Sequence, residues 1–225
     1  MPQEASRILT SSLIFSGLGE AELGELTRLA NERHLAPEEF VFWEGDAPEF
    51  FYLVVRGRVK VVKQAPSGKE FIVAFFGPGE MFGEVAVFEN KPYPASAQAA
   101  EATVVIAIRR AAFLAFLAAH PEIALRIISV LGGRLRDAQA RLGDLAAGRV
   151  QQRICRVLLM LAARLGPDLP FTRREIADMT GTTTETAIRV LARLGQGKII
   201  RSVRGHITIL DETRLRLLAE GPPQI

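Results

Sequence analysis

Two charged residues on one predicted helix have the chemistry and the spacing to contact the edges of base pairs. Arg189 can donate two hydrogen bonds to O6 and N7 of guanine, and Glu185 can accept one from N4 of cytosine. Their separation of four residues places both side chains on the same helix face. Glu185 also fits a purely structural role as a capping carboxylate. Its position on one face with Arg189 favours base contact.

Two short helices joined by a glycine turn should position this face. Thr172 with Glu175 has the pattern of a capping box and predicts the start of the first helix. A second box, Thr182 with Glu185, predicts the start of the second helix, which runs to Leu194. This is the helix-turn-helix arrangement, and burial of one face turns the following residues outward for DNA contact: Thr183, Thr184, Glu185, Ile188 and Arg189.

A β-hairpin is predicted after these helices. Two β-rich runs, Ile199–Val203 and His206–Leu210, lie on either side of a turn at Arg204-Gly205, which is the pattern of a wing. Lys198, Arg201 and Arg204 can contact phosphates, although scattered surface cations are commonly only solvated. Residues 148–225 contain 13 Lys and Arg against 7 Asp and Glu, whereas residues 1–147 contain 15 against 18. The basic last third therefore indicates a polyanionic partner, double-stranded DNA.

A long helix is predicted from Pro121 to Ala147. Its apolar residues alternate spacings of three and four, the heptad pattern of a coiled coil: Ile128, Leu131, Leu135, Ala138, Leu142 and Leu145. The natural partner for this stripe is the same helix of a second copy, which predicts a homodimer. The alternative is a long helix that lies across its own β-domain.

The segment before this helix has the pattern of a β-domain. Short apolar runs between Arg33 and Ile108 alternate with turns rich in glycine and proline, as in a jelly roll. Helical patterns over residues 5–29 and 111–119 flank these runs. We therefore predict an α+β fold with an N-terminal cupin-like β-roll, a long dimerisation helix and a C-terminal winged helix-turn-helix. The predicted domains are residues 1–120, 121–147 and 148–225.

The chain resembles the Crp/Fnr family of bacterial transcription regulators over roughly residues 10–215. The resemblance rests on four segments. They are the strand sequence Tyr52–Val61, the motif Gly79-Glu80-Met81-Phe82-Gly83-Glu84, the long helix, and the recognition helix Thr182–Arg189. It implies a homodimer on a palindromic site, with half-sites about one helical turn apart, and RNA polymerase as a partner. Thr184 and Ile188 depart from the Arg of cyclic-AMP-type relatives and the Ser of Fnr-type relatives, so the half-site sequence is not predicted.

The same resemblance implies an effector pocket between the β-roll and the long helix, at Gly83, Glu84, Val85, Ala95, Ser96, Ala138 and Gln139. Cyclic-nucleotide-binding relatives place an Arg after the Gly-Glu pair to neutralise the cyclic phosphate. This chain has no Arg between Glu84 and Ala97, so we expect an effector other than cyclic AMP, either a small molecule or a redox-active cofactor. Lys91 can serve as a substitute point charge, which leaves a cyclic-nucleotide-responsive regulator as the alternative.

The cysteine and histidine content limits cofactors. Cys155 is the single cysteine, so no iron–sulfur cluster and no cysteine-rich zinc site is expected. The histidines are His34, His120 and His206. His120 fits a helix start before Pro121, His206 lies in the predicted wing, and a lone His34 is more often packed or solvated than a haem ligand. No metal is assigned, and the cofactor is unknown.

The sequence is also compatible with two other functions. One is a constitutive DNA binder whose β-domain only dimerises. The other is a cupin-type enzyme, which would need His and carboxylate ligands on facing strands, although Phe71–Ile108 contains no histidine. We expect no enzyme. Apolar runs such as Ala111–Ala119 are far shorter than the roughly 18 residues of a membrane span, and no signal pattern is present, so we expect a cytoplasmic protein without a membrane partner.

Overall fold

The computed structural model describes residues 3–64, 70–147 and 150–220, without the side chains of residues 3–5, 70 and 140–147. The chain divides into two compact units at the boundary between Leu135 and Arg136. The first is a β-roll with flanking helices, and the second contains helices and a three-stranded sheet. This architecture confirms the predicted fold class.

The first unit consists of two antiparallel sheets with helices around them. It opens with α1 (Gln3–Ser11) and α2 (Glu20–Leu29). The strands are β1 (Ala30–Leu35), β2 (Phe40–Phe42), β3 (Phe50–Arg56), β4 (Val59–Gln64), β5 (Glu70–Phe76), β6 (Met81–Phe82), β7 (Ser96–Ala99) and β8 (Thr103–Arg109). Helix α3 (Glu84–Glu89) follows β6, and α4 (Arg110–Ala119) follows β8. The strand orders are β1-β8-β3-β6 and β2-β7-β4-β5.

Strand β3 is buried on both faces, which explains its continuous apolar sequence. Successive side chains of a strand point to opposite sides, so Phe51 and Leu53 pack in a core beneath the helices while Tyr52 and Val54 pack between the sheets. The ring of Phe51 stacks on Phe113 of α4, with centroids 3.9 Å apart. The helical layer is thereby held on one face of the sheet by aromatic packing.

Helix α5 (Pro121–Ala147) has the predicted limits and carries two apolar faces. Ile123 and Ile127 are buried in the core beneath the sheet, and Leu131 packs against that core. Ile128 and Leu135 are 63% and 59% exposed. The start of α5 therefore lies on its own β-domain by one face, as the alternative interpretation expected, while part of the heptad stripe stays exposed.

The second unit has the elements of a winged helix-turn-helix. In chain order they are α6 (Val150–Leu165), β9 (Asp168–Leu169), α7 (Arg173–Thr180), α8 (Thr184–Gln196), β10 (Ile200–Val203), β11 (His206–Ile209) and α9 (Glu212–Glu220). The sheet order is β10-β11-β9. The hairpin was predicted, whereas β9 and α9 were not. Burial raises the pKa of the Cys155 thiol on α6 to about 11, so this thiol is protonated at neutral pH.

No single described helix combines the length and the apolar character needed to cross a membrane. One pair of consecutive helices meets that requirement together, Arg110–Ala119 with Pro121–Gln139, and the pair is bent by 111°.

Candidate nucleic-acid interface and effector site

The first helix of the helix-turn-helix begins at the predicted capping box. The Thr172 hydroxyl accepts a hydrogen bond from the Glu175 amide at 3.2 Å, and the Glu175 carboxylate accepts one from the Thr172 amide at 2.7 Å. The helix ends at Gly181, whose φ of 62° is the left-handed conformation that glycine adopts without strain. These local contacts define the turn that leads into α8.

The start of α8 differs from the prediction, because its N-cap is Thr183 and not Thr182. The Thr183 hydroxyl accepts from the Thr186 amide at 3.2 Å. The hydroxyl oxygens of Thr183 and Thr186 lie 3.0 Å apart. The box proposed between Thr182 and Glu185 is therefore wrong. Thr184 becomes the first helical residue, and the exposed Thr183 is engaged in capping.

The two faces of α8 differ in burial and in chemistry. Its buried side consists of Ala187, Val190, Leu191 and Leu194. Glu185 and Arg189 are exposed on the other side, Ile188 is 39% exposed, and Thr184 is half-buried. The structure thus brings one cation, one carboxylate and one apolar side chain together on the surface of the second helix. This combination can contact guanine, cytosine and a thymine methyl group.

Hydrogen bonds at the start of α8 hold Glu185 and Arg189. The pKa of Glu185 is lowered, first by its own backbone amide and next by the Thr183 hydroxyl, with a smaller effect from Arg189. Arg189 donates to the Thr186 hydroxyl at 3.2 Å. Glu185 is consequently ionised at neutral pH and can accept a hydrogen bond from a base. It also accepts from a backbone amide in the first turn of α8.

The wing is a short hairpin that presents cations. Val203 of β10 pairs with His206 of β11, and Gly205 in the turn has a φ of 74°. Lys198, Arg201 and Arg204 are exposed, as phosphate contact requires.

Two further cations on α7 were missed from the sequence. Arg173 and Arg174 are exposed in the first turn of α7. The first helix of this motif crosses the DNA backbone, so these positions are also candidates for phosphate contact. A usable signal was present, since both cations follow the capping residue Thr172 directly.

An ion pair between Glu84 and Arg134 is the central feature of the candidate effector site. Glu84 is only 4% exposed, and its Oε1 accepts a hydrogen bond from Nη1 of Arg134 at 2.7 Å. Nη2 of the same guanidinium donates to the Met81 carbonyl at 2.7 Å, and the guanidinium lies 4.6 Å from the ring centroid of Phe76. Burial raises the pKa of Glu84, and Arg134 opposes that shift. The pair joins α5 to the roll, and Arg134 was not identified from the sequence.

Gly83 gives the backbone the conformation that places Glu84 inside the roll. Its φ is 78°, and a Cβ atom there would lie 3.3 Å from both Tyr52 and Tyr93. A larger residue would therefore be strained and crowded against two rings.

The other predicted effector residues differ in burial. Val85 is 44% exposed and Ala95 is buried. Ser96 accepts from the Glu44 amide at 2.9 Å and lines a cavity of about 200 Å³. The other described walls of that cavity are Phe40, Trp43, Glu44, Val62, Lys63 and Gln64. Ala138 and Gln139 are exposed on the part of α5 that belongs to the second unit.

Lys91, the substitute cation of the cyclic-nucleotide alternative, lies at the surface. Its side chain is 72% exposed and pairs with Glu89 at 3.2 Å. The histidines considered as haem ligands also have carboxylate neighbours: His34 pairs with Glu32 at 2.9 Å and is 71% exposed, and His206 lies 3.6 Å from Asp168.

Comparisons with known proteins agree with this two-part architecture. A family model described as a cyclic nucleotide-binding domain matches residues 32–120, and one described as a Crp-like helix-turn-helix domain matches residues 152–218. The CRP-like cAMP-activated global transcriptional regulator of Mycobacterium tuberculosis is 31% identical over 216 residues, covering 92% of this chain and 96% of the relative. The cyclic AMP receptor protein of Thermus thermophilus is 32% identical over 215 residues, covering 95% and 99%.

The structural comparison leads to the same group of proteins. FixK2 from Bradyrhizobium japonicum matches with a TM-score of 0.78 and 26% identity, covering 86% of this chain and 99% of that structure. A β-roll of the cyclic nucleotide-binding type followed by a helix-turn-helix defines a class of DNA-binding regulators. The chain belongs to the Crp/Fnr family of transcription regulators.

Proposed function

We propose that this protein is a homodimer that binds a palindromic DNA site through α8 and responds to an effector bound in the β-roll. The observation that carries the DNA contact is the exposed face with Glu185, Ile188 and Arg189, opposite a fully apolar face. Arg173, Lys198, Arg201 and Arg204 would contact the flanking phosphates. RNA polymerase is the partner that the family resemblance implies.

The exposed apolar residues of α5 support dimerisation. Leu125, Ile128 and Leu135 are 68%, 63% and 59% exposed. This is a large apolar surface for one helix to leave in contact with water, and such patches mark interaction sites. Leu131, one of the residues predicted at the dimer interface, is partly buried and also packs against the core of its own first unit. Ala138 is exposed on the same helix, while the side chains of Leu142 and Leu145 lie outside the described residues.

The ion pair between Glu84 and Arg134 supports regulation through α5. A ligand that contacts either side chain would change the free energy of the link between the roll and the helix. Such a ligand would change the distance between the two α8 helices of a dimer. The exposed Lys91 and the absence of Arg from residues 84–97 favour an effector other than cyclic AMP.

A cyclic nucleotide is the second candidate for the effector, and the comparisons favour it. Two relatives are named for cyclic AMP, and a cyclic nucleotide-binding family model matches residues 32–120. Isothermal titration of the native protein with cyclic AMP and cyclic GMP separates the two candidates. We expect no saturable heat at micromolar nucleotide, and saturable binding of one nucleotide per chain would overturn our choice.

Selection of bound duplexes from a random pool, followed by salt titrations, tests the DNA proposal. We expect palindromic sequences and a specific component that survives salt concentrations at which binding to random duplex is lost. The experiment is repeated with exhaustively dialysed and with refolded protein. Loss of specific binding after refolding supports a removed effector, whereas unchanged binding supports a constitutive DNA binder. Absence of any enriched sequence contradicts the DNA proposal.

A further inference from the structure

A histidine at the junction of α4 and α5 is surrounded by carboxylates from two separate elements. Nδ1 of His120 lies 3.7 Å from Oε1 of Glu22 and 3.7 Å from Oε1 of Glu122. Nε2, on the other side of the ring, lies 3.6 Å from Oε2 of Glu25. All three distances exceed hydrogen-bond length. Glu22 and Glu25 belong to α2, so this cluster joins α2 to the start of α5.

The imidazole of His120 is held in a largely buried position. Its side chain is 14% exposed, and its ring centroid lies 4.4 Å from that of the buried Phe116. Its backbone is held on both sides, since its amide donates to the Phe116 carbonyl at 3.0 Å and its carbonyl accepts from Ile123 at 3.0 Å. Nε2 is buried and has no hydrogen-bond partner among the described residues. A buried polar atom without a partner is costly and needs an explanation.

The separations between the donor atoms fit a metal ion. Two ligands that each lie about 2.1 Å from one ion are about 3.4 Å apart in a tetrahedral shell. The nitrogen and oxygen donors of Glu22, His120 and Glu122 all lie within 4.8 Å of one another. Small side-chain rotations would bring them to these distances, because Glu22 and Glu122 are 39% and 51% exposed.

The hydrogen bonds around the cluster also fit an ion. Oε2 of Glu22 accepts from the Gly19 amide at 2.6 Å, which orients the carboxylate and leaves Oε1 directed to the histidine. Glu25 would accept the proton of Nε2 when Nδ1 binds the ion, the usual arrangement of carboxylate, histidine and metal. In that arrangement Nε2 of His120 would donate a hydrogen bond to Glu25.

We propose that Glu22, His120 and Glu122 bind one divalent transition-metal ion, with Glu25 as the partner of the imidazole and water completing the shell. One imidazole and two carboxylates are a donor set that suits Zn²⁺ and similar ions. The ion would link α2 to the start of α5 within the first unit. Its ligands are different residues from those of the DNA-contacting face and of the pair of Glu84 with Arg134, and the proposal does not depend on the proposed function.

The test measures Zn²⁺ binding by the full chain, prepared with a chelator and without a polyhistidine tag. Equilibrium dialysis with metal quantification should show one Zn²⁺ per chain. His120→Gln should weaken binding about 100-fold, and Glu25→Gln about tenfold, as loss of an outer partner does. His34→Gln and Glu20→Gln are the matched controls, because both residues are exposed and lie outside the cluster, and they should bind as the native chain does.

A second readout and a second variant keep the result independent of folding. Co²⁺ should give visible absorption bands with the native chain that His120→Gln abolishes. Glu122→Gln alters an exposed carboxylate and should also weaken Zn²⁺ binding if His120→Gln does not fold. Absence of stoichiometric Zn²⁺ from the native chain would overturn the proposal. Native affinity in both His120→Gln and Glu122→Gln, or equal loss in His34→Gln, would overturn it as well.

Discussion

Nη1 of Arg134 donates to Oε1 of Glu84 across 2.7 Å, and this contact joins helix α5 to a residue 50 positions earlier in the chain. Glu84 is almost fully buried, whereas the Arg134 side chain is 26% exposed. Among the described residues, Arg134 is the cation that pairs with this carboxylate and compensates its charge. Loss of Arg134 should therefore change both the stability of the first unit and its dependence on pH.

Replacement of the cation should destabilise the first unit. Arg134→Met leaves the Glu84 carboxylate and the Met81 carbonyl without their donor, and we expect a loss on the order of 2–3 kcal/mol in the free energy of unfolding. Urea denaturation measures this value. Arg136→Met, an exposed position two residues later, is the control and should change stability by less than about 0.5 kcal/mol. An equal effect of the two substitutions would contradict the role of the pair.

The cost of Arg134→Met should increase with pH. Burial raises the pKa of Glu84 and Arg134 opposes the rise, so the pKa is higher still without Arg134. In the variant, the folded state then binds a proton more tightly than the unfolded state, and its stability falls as pH rises above the ordinary Glu range. Urea midpoints from pH 4 to 8 should diverge between native chain and variant. A constant difference would show that Glu84 does not titrate in this way.

Removal of the predicted guanine contact should reduce specificity. Arg189→Ala should weaken binding to the selected palindrome by about 1–3 kcal/mol, while binding to random duplex changes little. Fluorescence anisotropy at one fixed salt concentration measures both. Arg56→Ala removes the same charge from an exposed position in the first unit and should leave both affinities unchanged. Parallel losses on palindrome and random duplex would indicate a phosphate contact.

The N-cap of α8 can be identified by a pair of alanine substitutions. Thr183→Ala removes the hydroxyl that accepts from the Thr186 amide, and we expect a loss of about 1 kcal/mol. Thr182→Ala affects the residue that the sequence pattern favours, and it should cost less. Thermal denaturation of both variants gives the comparison. A larger loss of stability for Thr182→Ala than for Thr183→Ala would contradict the structure and support a capping box of Thr182 with Glu185.

Charges on the exposed face of α5 should separate the dimer. Ile128→Glu combined with Leu135→Glu places like charges on both copies of the apolar seam, and we expect a loss of at least tenfold in dimer affinity. Sedimentation velocity over a concentration series measures the dissociation. Ser129→Glu, exposed on the same helix, is the control. A native chain that is monomeric at all concentrations would contradict dimerisation altogether.

Features that depend on neighbouring residues followed from the sequence alone. The limits of α5, the capping box at Thr172 and the hairpin turn at Gly205 are set by apolar period, short hydrogen bonds and glycine conformation. Each of these involves residues only a few positions apart. The order of a β-roll, a long helix and a helix-turn-helix could therefore be predicted from the sequence.

The tertiary structure decided which of two residues with the same sequence pattern takes a role, and which residues far apart in the chain come into contact. Thr182 and Thr183 both offer a hydroxyl to a residue three positions on, and only the backbone path after Gly181 selects Thr183. Leu131 and Ile128 both fit the heptad pattern, but Leu131 is partly buried against the core of the first unit and Ile128 is exposed. Arg134 gives no local signal, because its partner Glu84 comes from another part of the fold. Packing brings such residues together, and a period read along the chain carries no information about that contact.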